Sequence, residues 1–293
     1  MPAAPARVWA LVAAGLVAIG LSPILIRLAG DMPALTLAAW RTAAVSVAVA
    51  PLALRARERS EMAAFRPREW ALVLASGVLL GAHFMGWIVS VQLTSVASAS
   101  VLVTMSPIFI AVLGAVFLKE RPSRRVATAI GVAVVGAVLI AQSEGTGGSY
   151  PNPALGNALA LGAALLISVY LLIGRAVRQR TSLWAYFFPL NVVACATCVV
   201  GCAAAGVPLG LPLAAALLAV AMGLGPGLLG HGSFNYALGY LPAALIGLVS
   251  LSEPVIASVI ALVAFGEMPS AVGVVGMAVV LAAIAAVVTS RER

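Results

Sequence analysis

Charge is what this chain has least of. Only 9% of its 293 residues are Asp, Glu, Lys or Arg, against about 25% in a soluble domain, so it cannot cover a water-facing surface. Cysteine is scarce too. Cys195-x-x-Cys198 and Cys202 lie in one apolar run with no histidine nearby, and read as small apolar fillers with no need of zinc or a redox role. There is no Walker P-loop, which excludes ATP as a direct energy source, and no His-Glu-x-x-His for a metalloprotease. Gly225-x-Gly227-x-x-Gly230 spells a dinucleotide fingerprint, but it sits in an apolar run without the preceding strand that the fingerprint requires. The basic residues lie between apolar runs and form no patch on a soluble face, so nucleic acid is not an expected partner. No cofactor and no metal are called for.

What the chain has instead is apolar length. The hydrophobic fraction is 63% and the mean hydropathy +1.12. Ten runs long enough to cross a bilayer fall near 8–27, 33–54, 69–91, 96–118, 125–142, 154–174, 183–204, 212–237, 243–265 and 271–290. A bilayer offers backbone amides no partners, so these runs are expected to be helices. The first could pass for a signal peptide. It lacks an Ala-x-Ala end and runs into Ser22-Pro23-Ile24-Leu25-Ile26-Arg27, so it is read as retained.

Basic residues set the orientation. Arg7, the five arginines between Arg55 and Arg68, the Lys119–Arg125 cluster, Arg175, Arg178, Arg180, Arg291 and Arg293 all fall on one side of a ten-span chain. Arg27 and Arg41 are the exceptions. The positive-inside rule makes the common side, with both termini, cytoplasmic.

The chain also repeats itself. Residues 93–123 and 241–270 align at an offset of 147, bringing Pro107 onto Pro254, Glu120 onto Glu267, Pro122 onto Pro269 and Ser123 onto Ser270. Five spans per half is an odd number, so the second half must cross the membrane upside down. The flanks agree: Glu120 stands among Lys119, Arg121, Arg124 and Arg125, whereas Glu267 stands among Gly266, Met268, Ala271 and Val272. The expected architecture is therefore an all-α membrane protein of ten transmembrane helices, built as two inverted five-helix repeats over 1–145 and 146–293. Inverted repeats are a plan of secondary transporters, whose substrate sites lie near the midplane where the halves meet.

These residues resemble the drug/metabolite transporter superfamily in its EamA-type branch. The likeness runs over nearly the whole chain. It is carried by Ser106-Pro107 and Glu253-Pro254, by Leu118-Lys119-Glu120-Arg121-Pro122 and Phe265-Gly266-Glu267-Met268-Pro269, by Gly131 and Gly136, and by an early arginine in the second span, Trp40-Arg41. The resemblance implies a small-molecule exporter, often of amino acids or other metabolites, and a composition rich in Ala, Val and Gly suggests a bacterial inner membrane. The aromatic-amino-acid exporters are the members it looks most like.

Candidate binding residues follow from the cost of polar groups inside a membrane, about 2.5–3.5 kcal/mol for a central charge. His83 and Trp87 share a helix face with Ser90, and His231 and Asn235 repeat the i, i+4 spacing. His83 and His231 are nearly equivalent in the two halves. Trp40, Arg41, Ser168, Tyr170, Trp184, Phe188, Asn191 and Glu253 complete the set. Rings with a few polar groups suit a zwitterion bearing a bulky side chain. Each residue also has a plainer reading. Trp184 and Tyr186 near a span end fit an interfacial aromatic belt, and a histidine can be a hydrogen-bond partner between helices. Glu253 can serve backbone groups freed by Pro254, while Arg41 can snorkel or form a structural pair.

Pro107 and Pro254 are expected to kink their spans, and Gly225 and Gly227 to loosen the eighth, so that the halves can rock. Gly77-x-x-x-Gly81 reads as a helix-packing motif. Ser123 and Ser270 are expected N-caps. The reading is thus a carrier for amino acids, including aromatic ones, working by alternating access as a monomer in the bilayer. The alternatives are a carrier for another metabolite or drug, and a membrane-embedded enzyme.

Overall fold

The computed structural model describes residues 4–94, 99, 102–143, 150–266, 268 and 270–288. Glu267 and Pro269 of the second motif copy, the start of the expected fourth span, the repeat boundary near 145, and Arg291 and Arg293 lie outside the described residues.

All regular structure among the described residues is helical. The first half carries α1 (Ala6–Gly20), α2 (Ser22–Leu28), α3 (Ala34–Ala53), α4 (Ala56–Ala63), α5 (Pro67–Leu93), α6 (Ser106–Leu113) and α7 (Arg124–Ser143). The second carries α8 (Pro153–Arg178), α9 (Leu183–Ala204), α10 (Leu213–Met222), α11 (Gly232–Leu238), α12 (Ala243–Ser250), α13 (Glu253–Phe265) and α14 (Ala271–Val288). Two stretches are wound as π-helix: Gly114–Leu118 continues α6, and Gly223–His231 joins α10 to α11.

Eight stretches among the described residues are long and apolar enough to cross a membrane: Ala6–Leu28, Ala34–Ala53, Pro67–Leu93, Pro153–Arg178, Leu183–Ala204, Leu213–Leu238, Ala243–Ala264 and Ala271–Val288. The chain is therefore a multi-pass membrane protein. The other two expected spans correspond to the shorter helical stretch Ser106–Leu118 and to α7, which opens on two arginines. The basic loop after α3 is itself wound into α4, which sequence periodicity did not suggest.

Proline opens these helices more than it bends them. Pro107 and Pro254 stand in the first turns of α6 and α13, directly after the turns at Thr104-Met105 and Leu251-Ser252. A first-turn amide has no intrahelical partner, so its loss costs little there. Both spans are thus broken before the proline and restart, where a continuous kinked helix was expected.

Small residues let the helices approach closely. A Cβ on Gly77 would come within 2.5 Å of the Leu190 carbonyl oxygen, and one on Gly81 within 2.8 Å of the Ala194 oxygen; the Gly77-x-x-x-Gly81 face is what seats α5 on α9. At the α7–α14 contact, Gly136 and Gly276 face each other, and a Cβ on either would meet the other's carbonyl oxygen at 2.8 and 2.6 Å.

The helix pairing survives exchange of the halves. The contacts α3–α9 and α7–α14 each join a helix to its counterpart, while α5 on α8 is answered by α1 on the stretch through His231 and α11. Details repeat as well. The Val126 amide donates to Ser123 Oγ and the Gly273 amide to Ser270 Oγ, both at 3.3 Å. Lys119, with φ 55°, and Gly266, with φ 70°, end their helices in the left-handed region at the 147-residue offset. Glycine takes that conformation freely, whereas a lysine is strained by it.

Candidate functional site

Between the halves lies a cavity of about 70 Å³, room for about five waters. The charged and aromatic groups on its wall reach it from several elements. Arg41 faces inward from the middle of α3. His83, Phe84 and Trp87 form one turn of α5, with the i, i+4 pair His83 and Trp87 on the same face. His231 is the last residue of the π stretch, whose wider winding contains Pro226; such insertions often occur at functional positions. Glu253 opens α13 directly after the helix break. Ser22, Ser106, Ile167 and Ser250 complete the portion of the wall used below.

The two imidazoles stand 6.5 Å apart, centroid to centroid, with the Phe84 ring 5.2 Å from His231. His83 Nδ1 shares a hydrogen bond of 2.9 Å with the Ala163 carbonyl, which ties α5 to α8. The Arg41 guanidinium lies 4.0 Å from the centroid of Phe84 and donates from Nη1 to Ser22 Oγ at 3.3 Å. Arg41 is only 2% exposed. Its Nε, Trp87 Nε1 and His231 Nδ1 are buried without a hydrogen-bond partner. Buried donors are normally satisfied. Three unsatisfied nitrogens around one cavity mark a place where an acceptor-bearing guest, or water, belongs.

Of the residues singled out from sequence, Arg41, His83, Trp87, His231 and Glu253 line this cavity, and the others do not. Ser90 donates its hydroxyl to the Trp87 carbonyl at 2.7 Å. Asn235 stands behind His231, donating to the His231 carbonyl at 2.7 Å and to the Tyr170 hydroxyl, so both act as supports of that turn. Asn191 donates to the Phe187 carbonyl of its own helix. Ser168 bonds the Ser106 and Ala164 carbonyls. Trp40 is 38% exposed, and its indole N–H donates to the Leu209 carbonyl at the periphery. Tyr186, expected in an interfacial belt, is instead fully buried and shares a 2.5 Å hydrogen bond with Ser76. Around Gly225 there is open space, whereas a Cβ on Gly227 would lie 2.7 Å from Val45 Cγ2.

Sequence reasoning missed Phe84, Ser106, Ile167 and Ser250. Phe84 and Ile167 are apolar and carry no polarity signal inside an apolar run, and Ser106 and Ser250 are small hydroxyls that a helix satisfies locally, as Ser250 does on the Gly247 carbonyl. Phe84 alone had a cue, lying beside His83 and three residues before Trp87.

A second polar cluster lies at the far end of α8. Arg175, also 2% exposed, donates from Nε and Nη2 to Glu120 at 3.0–3.4 Å and from Nη1 to the Leu238 carbonyl at 2.9 Å. Gln179 donates to the same carbonyl, and Arg178 to those of Asn235 and Thr181. The Asn235 and Leu238 carbonyls among them lie at the C-terminal end of α11, where cations are favoured. Beside them is a crevice of about 350 Å³, lined in part by Lys119, Glu120, Arg121, Leu172 and Ala243.

No curated protein matches the chain. A solved structure titled only "Crystal structure of protein" superposes with a TM-score of 0.81 over 99% of both chains at 19% identity, a likeness of fold alone. The model of the EamA-like transporter family matches twice, over residues 7–142 and 154–289. With two repeats that span most of its length, the chain belongs to the EamA-like transporter family of the drug/metabolite transporter superfamily, membrane transporters of small molecules.

Proposed function

We propose that the protein exports amino acids, aromatic ones among them, across a bacterial inner membrane by alternating access, as a ten-span monomer whose repeats, 1–145 and 146–293, are inverted. Both termini are cytoplasmic in this reading, and no ATP is consumed. One observation carries it: a cavity walled from both halves is lined by an arginine, two imidazoles and an indole, with unused hydrogen-bonding nitrogens among them. The helix pairing, which is preserved when the halves are exchanged, supports a twofold relation between them, and the one-sided arginines support their inversion. The broken spans at Pro107 and Pro254 give the two halves places to flex.

The test is counterflow of labelled phenylalanine, tyrosine and tryptophan in proteoliposomes. Wild-type protein is expected to exchange them, and His83→Ala and Trp87→Ala to lower exchange by about tenfold or more, the loss of one or two hydrogen bonds to a charged group. Movement of another metabolite with no amino acid carried would reject the substrate and keep the carrier. Product formation by detergent-solubilised protein would instead support a membrane enzyme.

A further inference from the structure

The pseudo-symmetry of the cavity is broken in its charges. The histidines answer each other across the halves, but at the 147-residue offset Arg41 corresponds to Phe188 and Glu253 to Ser106. One cation and one carboxylate therefore stand on the wall without symmetric partners.

Neither has a counter-ion within ion-pair distance among the described residues, in contrast to Arg175 and Glu120. Arg41 uses one of its five N–H donors, on the neutral Ser22, and its Nε is unsatisfied. Arginine stays charged in proteins. A charge kept inside a membrane domain without a direct partner marks a functional position. The unsatisfied nitrogens of Trp87 and His231 belong to the same wall and provide further donors. Glu253 is the only carboxylate lining the cavity among the described residues, and it enters from the first turn of α13.

Resting on the transport reading above, we propose that these two residues divide the charges of a zwitterionic substrate. Arg41, helped by the Trp87 and His231 nitrogens, holds the carboxylate, and Glu253 holds the ammonium. The site thereby selects α-amino acids over the acids or amines that share their side chains. Separated opposite charges suit this task better than a closed ion pair. A closed pair would have to be broken for each substrate, whereas these two attract each other across the cavity without ion-pair contact, and a guest carrying both signs can bridge them.

The test measures binding to the full-length protein in detergent with three probes of equal side chain: phenylalanine, 3-phenylpropionate and phenethylamine. Wild-type protein is expected to prefer phenylalanine to either analogue by about tenfold or more, as loss of a charge-assisted hydrogen bond implies. Glu253→Gln should lower phenylalanine affinity to that of 3-phenylpropionate and change the latter less than about threefold. Arg41→Gln should do the same relative to phenethylamine. Arg41→Lys and Glu253→Asp keep the charges and should retain the preference, which secures the comparison should a Gln variant fold poorly. Equal losses for all three probes in either Gln variant would overturn the division of charges alone. So would unchanged selectivity in Glu253→Gln together with loss of proton uptake on binding, which would make Glu253 a proton carrier. If wild-type protein binds none of the three while counterflow of another metabolite persists, the amino-acid reading falls and this inference falls with it.

Discussion

Two arginines in this protein are equally buried and differently served. Arg175 is wrapped by Glu120 and the Leu238 carbonyl, and with Arg178 and Gln179 it closes the exposed carbonyls of α11. Arg41 meets one serine hydroxyl and one aromatic face, and part of its donor set goes unused. A buried charge needs compensation wherever it lies. Where the protein supplies all of it, the charge is part of the scaffold. Where the protein supplies only some of it, the remainder is left for a guest. The first arginine holds a first-half segment to a second-half helix; the second leaves the wall of a cavity open to chemistry.

The comparison predicts the largest stability loss at the served arginine, and on the acid side of the pair. Glu120 is 34% exposed while Arg175 is nearly inaccessible. Removing the carboxylate therefore strands a buried cation, whereas removing the cation leaves an acid that water can reach. Glu120→Ala should lower unfolding stability in detergent by about 3 kcal/mol. Arg175→Met should cost less, about 1 kcal/mol, because water reaches Glu120 and the Leu238 carbonyl keeps its bond from Gln179. Thermal unfolding of the two variants side by side checks the order, and the reverse order would mean that the pair is held for reasons other than burial.

A smaller effect is expected next door. Lys119 precedes Glu120 and adopts φ 55°, a conformation costing a non-glycine residue about 1–2 kcal/mol. Its counterpart Gly266 has no such cost. Lys119→Gly should raise stability by about 0.5–1 kcal/mol once the greater freedom of glycine in the unfolded chain is subtracted. A loss instead would show that the lysine side chain belongs to the Arg175 cluster.

Much of this contrast was legible in the residues, but unevenly. The spans were readable because a bilayer demands apolar length, and the wall residues Arg41, His83, Trp87, His231 and Glu253 because polarity inside such a run is costly. The served arginine was not. Counted as a cytoplasmic loop charge, Arg175 in fact lies within α8, since the helix continues four residues past the expected end and carries Arg175 and Arg178 inward against α11. Its acid partner is 55 residues away, and no local period connects them. The π winding before His231 was likewise invisible, because apolar periodicity there is read against 3.6 residues per turn. Trp40, Asn191 and Tyr170 show the other side of that reasoning: polar or aromatic character was read as pointing at a ligand, and in the fold each has a hydrogen-bond partner within the protein.

The smallest stability effect is expected at Arg41, and it is the sharpest use of the comparison. Arg41→Met removes a buried charge, one hydrogen bond to Ser22 and a ring contact with Phe84 worth about 0.5–2 kcal/mol. It also removes the cost of keeping that charge from water, and apolar replacement of buried charges is often neutral or stabilising. No carboxylate is stranded in direct contact, because Glu253 lies beyond ion-pair distance. The unfolding midpoint of Arg41→Met should therefore stay within about 1 kcal/mol of wild type, while counterflow of labelled amino acids is lost. A drop as large as that of Glu120→Ala would place Arg41 in the scaffold with Arg175 and end its claim on a substrate; an unchanged midpoint with unchanged counterflow would leave the guanidinium without either role.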